Sequence, residues 1–224
     1  MTRRSYSQLC PIARALDLVG ERWTLLIIRN LFLGPQRYND LLDGLPGIPR
    51  NLLAARLREL EAAQLVRRRN LSPPAQAVTV YELTEVRREL EPVLVSLARF
   101  GGGFLGQESR DWTFHPAYGM LAIRAAFRPE AAKGIRETYE FRIDGETFHI
   151  RIDDGTADVG RGPAQDPQLV IACDAGTFMA VGSRALSPRD AVARGRATID
   201  GTSATLAHCC ELLGLLDDAA YEAL

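Results

Sequence analysis

Apolar residues in the first part of the chain recur at the three-to-four residue spacing of helices that pack on a core. This spacing predicts a helix over 11–19 and a strongly apolar, central helix over 22–33. A short helix over 37–43 follows, and a turn at 44–48 separates it from a longer helix over 49–63. Short helix, tight turn and longer helix is the order of a helix-turn-helix, which the pattern therefore predicts.

The longer helix has an apolar side and a polar side. Three leucines at i, i+4 and i+7 predict the side that packs on the core: Leu53, Leu57 and Leu60. Asn51 and Arg58 point away from this row, and Arg50 lies near the N-terminus, where a recognition helix first meets base edges. A solvated surface is the alternative for these residues, but their place on a helix-turn-helix favours DNA contact.

Two strand-like runs at 65–71 and 78–83, separated by a polar segment, predict a hairpin that forms a wing. Along the first strand Arg67 and Arg69 share one face and Arg68 takes the other, so not all three can reach DNA. Arginines beside the phosphate backbone supply affinity without sequence choice. The predicted DNA-binding residues are Arg37, Asn39, Arg50, Asn51, Arg58, Arg67 and Arg69.

A helix over 85–100 follows, with more apolar surface than a small domain needs to cover itself. We interpret it as a dimer helix, so we expect a homodimer. The glycine run 101–103 predicts a flexible junction between domains. The predicted domains are 1–102, for DNA binding and dimerisation, and 113–224, for binding an effector.

Beyond the junction the pattern changes to alternating strands at 139–143 and 148–152, split by the hairpin signal Asp144-Gly145. A strand at 169–173 follows. Further elements are predicted as a helix over 116–127, helices over 177–181, 189–193 and 203–216, and a strand over 197–199. The predicted fold class is α+β, with an N-terminal winged helix that is mainly α and a C-terminal α+β domain.

Charge is distributed unevenly along the chain. Residues 1–100 contain 15 Lys and Arg against 10 Asp and Glu, whereas the remaining residues carry 12 against 18. A polyanion therefore suits the first part and is repelled by the second. This asymmetry assigns nucleic acid binding to the first domain.

The chain has no apolar run of the roughly eighteen residues that a membrane helix needs, and its start lacks the apolar core of a signal peptide. We expect a cytoplasmic protein that does not bind membranes. Four cysteines, at 10, 173, 209 and 210, do not form a spaced disulfide framework, so we expect free thiols.

Common catalytic and cofactor motifs, such as a nucleophile elbow, a zinc-protease helix or a phosphate loop, do not occur in the sequence. The segment His208-Cys209-Cys210 suggests metal binding, but neighbouring residues on a helix diverge by about 100° and cannot close on one ion. We predict no enzymatic activity, no cofactor and no metal.

Several motifs of the first domain together resemble the HxlR family of winged-helix regulators, across nearly all of residues 8–101. They are CPIARALDLVG at 10–20, WTLLI at 23–27, GPQRYNDL at 34–41, the segment 47–60, LVR at 65–67, YELTE at 81–85 and PVL at 92–94. The chain departs from the family at Gln64 and Arg87, where glycine is common. The resemblance implies a DNA-binding transcriptional regulator.

Residues 137–216 resemble, through scattered motifs, a sterol-carrier-protein-like domain. The motifs are FHIRI at 148–152, ADVG at 157–160, DPQLVI at 166–171, TF at 177–178, Ala191 and GRATIDG at 195–201. This resemblance implies a sheet covered by helices around an apolar tunnel for a lipid or similar effector. The residues expected to line it are Phe127, Phe148, Phe178, Met179, Leu212 and Leu215, although ordinary core is the alternative for such residues.

Cys10 immediately precedes the first predicted helix, where free N–H groups and the helix dipole stabilise a thiolate. Some regulators that resemble the HxlR family sense oxidants or electrophiles through an N-terminal cysteine. A packed structural thiol is the alternative for Cys10.

The sequence therefore predicts a homodimeric repressor that binds a pseudo-palindromic DNA operator and responds to a hydrophobic small molecule. A thiol-switched regulator that acts through Cys10 and a lipid-binding carrier are the two alternatives.

Overall fold

The computed structural model describes residues 5–71, 78–102, 104 and 118–215. By their internal contacts the residues group into two compact units, Met1–Leu94 and Val95–Leu224. The predicted domain limits, 1–102 and 113–224, stay a prediction, because nearly all of the segment between them lies outside the described residues.

The first unit follows the predicted order of helices and strands. Its elements are α1 (Pro11–Val19), α2 (Thr24–Phe32), α3 (Tyr38–Asp43), α4 (Arg50–Ala62), β1 (Val66–Asn70) and β2 (Thr79–Leu83). The next helix, α5 (Arg87–Gly102), begins in this unit and continues past its last residue, Leu94. α2 begins two residues later than predicted because Trp23 adopts a left-handed backbone, with φ of 78°. The predicted helix-turn-helix and its hairpin wing are confirmed, although the predicted segment at the wing tip, 72–77, lies outside the described residues.

Burial of α2 and of the leucine row of α4 forms the core of this unit. Ile27 and Ile28 of α2 are fully buried, as is Leu53, and Leu57 and Leu60 are each 1% exposed. Because the row recurs at helical spacing, its burial leaves the opposite side of α4 facing outward. The predicted apolar and polar sides of the longer helix are therefore confirmed.

The end of α4 explains the departure from the family at Gln64. Gln64 adopts a left-handed backbone with φ of 58°, a conformation that favours glycine. The Leu65 amide donates to the carbonyl of Leu60 at 3.0 Å, which closes the end of the helix. The Thr84 hydroxyl donates to the Gln64 carbonyl at 2.8 Å, so a side chain that directly follows β2 stabilises this turn.

The hairpin is antiparallel, with Val66 paired to Leu83 and Asn70 paired to Thr79. Backbone hydrogen bonds in both directions between Gln36 and Tyr81, at 3.0 and 2.8 Å, attach it to the segment before α3. The wing is therefore joined to the helix-turn-helix by main-chain contacts as well as by the core.

The predicted flexible junction is wrong for Gly101 and Gly102, which form the end of α5. The amide of Phe104 donates to the carbonyl of Gly101 at 3.0 Å. The rings of Phe100 and Phe104 pack with centroids 5.0 Å apart. These contacts continue the helical turn through two residues of low helix propensity.

The second unit contains a five-stranded sheet in the order β5-β4-β3-β6-β7. Its elements are α6 (Tyr118–Ala126), β3 (Arg136–Ile143), β4 (Glu146–Asp153), β5 (Thr156–Arg161), β6 (Leu169–Cys173), α7 (Ala175–Gly182), α8 (Pro188–Ala193), β7 (Ala197–Gly201) and α9 (Ser203–Leu212). Strands β3 and β6 are parallel, and the other pairs are antiparallel. The α+β fold class is confirmed.

Strand β5 was not predicted from the sequence pattern. Its residues include Asp158 and Gly160, which are types depleted in strands. Pairing to β4, with His149 opposite Gly160 and Ile152 opposite Ala157, forms the strand in spite of this composition. The ring of His149 covers Gly160, where an added Cβ would meet the ring at 2.6 Å.

Aromatic rings pack over one face of the sheet. Phe141 and Phe148 stack with centroids 5.3 Å apart, and Phe178 of α7 meets Phe148 edge-on at 6.1 Å. Gly119 of α6 lies against the same rings, because a Cβ there would be 2.9 Å from Phe148 and 3.1 Å from Phe178. A glycine thus lets α6 approach the aromatic cluster formed by Phe141, Phe148 and Phe178.

Replacing Gly119 by Ala should destabilise the second unit by about 1–3 kcal/mol, because the ring cluster must shift to admit the methyl group. Calorimetric unfolding of the full chain measures this change. Gly182→Ala is the matched control, since a Cβ at Gly182 meets nothing within 4 Å. Equal unfolding temperatures for the two variants would show that the cluster is not closely packed on α6.

Candidate DNA-binding surface and effector domain

The outward side of α4 presents the residues predicted to read DNA. Arg50, Asn51 and Arg58 are all exposed. The hydroxyl of Tyr38, on α3, donates to the carbonyl of Arg50 at 2.7 Å. This bond joins the start of α3 to the start of α4. A hydrogen bond as well as packing in the core therefore holds the two helices of the motif together.

The short helix α3 begins directly after Arg37, whose amide donates to the Asp40 carboxylate at 3.1 Å. Arg37 and Asn39 are both exposed. The structure therefore places all seven predicted DNA-binding residues on the surface of one unit, on α4, at the start of α3 and on the wing.

Asn30 was missed by the sequence reasoning although it supports the turn of the motif. It is 2% exposed inside the apolar helix α2. Its side-chain amide donates to the carbonyl of Gly44, in the turn between α3 and α4, at 3.2 Å. An amide within a largely apolar helix was the available signal, because buried polar groups need partners.

Arg56 lies on α4 but does not belong to the exposed polar side. Its guanidinium contacts Glu21 at 2.9 Å and Glu59 at 2.6 Å, and its side chain is 15% exposed. It therefore connects α4 to the segment before α2. Arg56 thus contributes to the fold, whereas Arg50 and Arg58 of the same helix are exposed. Composition alone does not reveal this difference.

The wing separates its three arginines as predicted, with Arg67 and Arg69 on one face and Arg68 on the other. Both Arg67 and Arg69 contact Glu82 of β2, at 2.7 and 2.9 Å. Arg68 instead pairs with Glu61 of α4 at 2.6 Å and lies over the ring of Tyr81. Burial alone would raise the pKa of Glu82, but hydrogen bonds from the two arginines outweigh burial and lower it.

More than one exposed apolar side chain lies on each of two helices, α5 and α1. Val93, Leu97 and Phe100 of α5 are 46%, 44% and 70% exposed, whereas Leu94 is buried within the chain. On α1 the exposed apolar residues are Ile12 and Leu16. These exposed apolar faces are typical of surfaces that a protein partner covers.

Of the six residues predicted to line an effector tunnel, four lie in two places in the second unit. Phe148 and Phe178 meet in the aromatic cluster, which also contains Phe141, a residue that the prediction omitted. Phe127 and Leu212 are neighbours, since the amide of Arg128 donates to the Leu212 carbonyl at 2.9 Å. Phe148 and Leu212 are buried, and the half-buried members of the set are Phe127, Phe178, Met179 and Leu215.

Cys10 is the residue immediately before α1 and is half-buried. Burial raises the pKa of Cys210 to about 11 and that of Cys173 to about 11, and it raises the pKa of Cys209 as well. These three thiols are therefore neutral near pH 7.

His208 pairs with a glutamate rather than forming a metal site with Cys209 and Cys210. Its Nδ1 lies 2.9 Å from Oε1 of Glu137, and the other oxygen of that carboxylate, Oε2, accepts a hydrogen bond from the Tyr139 hydroxyl at 2.5 Å. Burial and this hydrogen bond raise the pKa of Tyr139. Among the described residues no group of three or more His, Cys, Asp and Glu side chains is arranged to hold a metal ion.

No helix within the described part of the chain is long and apolar enough to cross a membrane.

Comparison with known proteins matches two stretches of the chain to families. The HxlR-like helix-turn-helix family matches residues 18–109, and the SCP-2 sterol transfer family matches residues 122–213. The uncharacterized HTH-type transcriptional regulator sll1512 of Synechocystis is 39% identical over 101 residues, which are 45% of this chain and 74% of that protein. The chain belongs to the HxlR-like helix-turn-helix family.

Further relatives also carry the name of HTH-type transcriptional regulators. The HTH-type transcriptional regulator YodB of Bacillus subtilis is 35% identical over 97 residues, 43% of this chain and 86% of that protein. Rv3095 of Mycobacterium tuberculosis, an uncharacterized HTH-type transcriptional regulator, is 44% identical, and the match spans only 58% of its length. The solved structure of reduced YodB has a TM-score of 0.38 at 34% identity, covering 44% of this chain and 96% of that chain.

Membership of the HxlR-like family confirms the predicted class of function. The protein is a DNA-binding transcriptional regulator of the winged helix-turn-helix class, and an SCP-2-like domain follows the HxlR-like domain. The matched relatives cover less than half of this chain, so they carry no information on the ligand of the second domain.

Proposed function

We propose that the protein is a homodimeric repressor that binds a pseudo-palindromic operator and releases it when a hydrophobic small molecule occupies the SCP-2-like domain. The observation that carries DNA binding is the exposed side of α4, where Arg50, Asn51 and Arg58 lie opposite a fully buried leucine row. In a helix-turn-helix this side enters the major groove.

The exposed apolar residues of α5 and α1 support the dimer. A second copy covers them, and the two recognition helices then reach successive major-groove turns about 34 Å apart. A dimer on a promoter blocks polymerase without further machinery, which favours repression. Binding to chromosomal DNA is consistent with the predicted cytoplasmic location. The predicted lack of enzymatic activity stays a prediction.

The aromatic cluster and the SCP-2 family match support a hydrophobic effector. The ligand binds among the apolar side chains of the second domain, where Phe178 and Met179 lie half-buried on α7. It changes DNA affinity only insofar as it favours one state of the dimer over the other.

Replacing Arg58 by Ala should weaken binding to the operator by about 1–3 kcal/mol, because a base or phosphate contact is lost. Titration of the protein into labelled DNA from its own upstream region, against nonspecific competitor, measures the loss. Arg194→Ala removes the same charge from an exposed site on the second unit and serves as control. Equal losses for both variants would contradict a recognition role for Arg58.

Replacing Met179 by Glu should weaken binding of a pyrene-labelled fatty acid by about tenfold or more, because a carboxylate is costly in an apolar site. Fluorescence titration of the full chain measures the affinity. Val192→Glu adds the same charge at an apolar residue that is 39% exposed and should leave the affinity unchanged.

If the fatty acid binds and DNA affinity is unaltered, the result favours the lipid-carrier alternative over regulation by an effector. If the fatty acid is an effector, linkage requires that the fatty acid and the operator weaken each other's binding by the same factor. Failure of the wild-type chain to bind the fatty acid would count against a lipid-like effector.

A thiol-switched regulator is the second candidate, and the position of Cys10 favours it. Cys10 precedes α1 and is half-buried, whereas Cys209 and Cys210 are buried. Cys10→Ser should abolish loss of DNA binding on treatment with diamide, while Cys173→Ser should not. Equal diamide sensitivity of wild type and Cys10→Ser would remove this candidate.

A further inference from the structure

One carboxylate lies between two arginines on the face of the wing that carries Arg67 and Arg69. Glu82 of β2 is directly opposite Arg67 in the hairpin register, and Arg69 is two residues further along the same face. The Nε of Arg67 donates to Oε1 of Glu82 at 2.7 Å, and the Nε of Arg69 donates to Oε2 at 2.9 Å. The Glu82 side chain is only 11% exposed beneath them.

Each carboxylate oxygen thus accepts a hydrogen bond from the Nε of one arginine. The terminal nitrogens of both arginines take no part in these two hydrogen bonds. Within the described part of the chain, the Nη atoms of Arg67 and Arg69 donate no hydrogen bond. Their side chains are 60% and 48% exposed. A guanidinium carries five donors in a planar fork, so it can hold a carboxylate through one edge and a phosphate through another.

The pair on the other face of the strand has a different geometry. Arg68 donates through both Nε and Nη2 to the two oxygens of Glu61, at 2.6 and 3.0 Å. That bidentate pair occupies one whole edge of the guanidinium with a single partner. Glu61 therefore places both of its oxygens on one arginine, whereas Glu82 divides its two oxygens between two arginines.

Two effects of Glu82 on DNA binding oppose each other. Its negative charge reduces the attraction of the wing for phosphates, which predicts tighter binding when it is removed. Its hydrogen bonds restrict two long side chains before DNA arrives, and binding then loses less side-chain freedom. The shared, buried geometry favours the second effect, since the charge is already neutralised by two contacts while the side chains of Arg67 and Arg69 stay 60% and 48% exposed.

We propose that Glu82 is a positioning residue that holds Arg67 and Arg69 with their Nη atoms directed at DNA phosphates. This inference rests on the proposed DNA binding of the wing and adds a residue that the sequence reasoning did not single out. The wing then presents two oriented guanidinium groups rather than two mobile positive charges.

The test compares Glu82→Gln with Glu61→Gln in the full chain. Both substitutions raise the net charge by one, and both glutamates pair with wing arginines. The probe is a fluorescent DNA duplex of about 30 base pairs and random sequence, which reports phosphate contacts without knowledge of the operator. Glu82→Gln should weaken binding by about tenfold, the order expected when side-chain freedom is no longer restricted in advance. Glu61→Gln should leave binding unchanged or tighten it.

Binding by Glu82→Gln that equals or exceeds that of Glu61→Gln would overturn the proposal in favour of simple charge shielding. A second comparison separates positioning from misfolding, namely Glu82→Gln in a chain that already carries Arg67→Ala and Arg69→Ala. There the substitution should have no effect on affinity, and a persisting loss would show that Glu82 acts through the fold. A wild-type chain that binds no DNA would overturn the proposed function itself.

Discussion

Burial of the leucine row of α4 against the core is the constraint on which the DNA-binding surface depends. Leu53, Leu57 and Leu60 are all at most 1% exposed, and a helix that buries one side at this spacing must present the other to solvent. Asn30 donates a hydrogen bond to the turn before α4, and Tyr38 donates one to the first residue of α4. Hydrogen bonds at the N-terminal end of α4, as well as packing, therefore fix its outward side.

Acidic partners divide the arginines of this unit into distinct roles. Arg56 is used within the fold, while Arg68 is paired to Glu61 across two elements. Arg50 and Arg58 have no ion pair among the described residues and remain on the exposed side of α4. Glu82 takes an intermediate part, because it binds two wing arginines without using their terminal nitrogens. A protein with almost no excess charge can thus present a locally positive surface.

The second unit combines a five-stranded sheet and helices with an aromatic cluster formed by Phe141, Phe148 and Phe178. The cluster packs closely in this structure, since Gly119 is needed for α6 to approach Phe148 and Phe178. A ligand among these rings therefore requires some side chains to move, most readily on α7, where Phe178 and Met179 are half-buried. That requirement links ligand binding to a change in the domain, which is what regulation by an effector needs.

The sequence by itself determined the helix-turn-helix, the wing, most strands and the exposed side of α4, because hydrophobic period and turn residues act locally. It could not determine strand β5, whose Asp158 and Gly160 oppose strand formation until β4 pairs with them. Nor could it determine that Glu82 lies under Arg67 and Arg69. That contact depends on hairpin register, and a slip of one residue would move Glu82 to the opposite face. Pairing between elements distant in sequence is decided only when the chain folds, since the interaction exists only in the assembled tertiary structure.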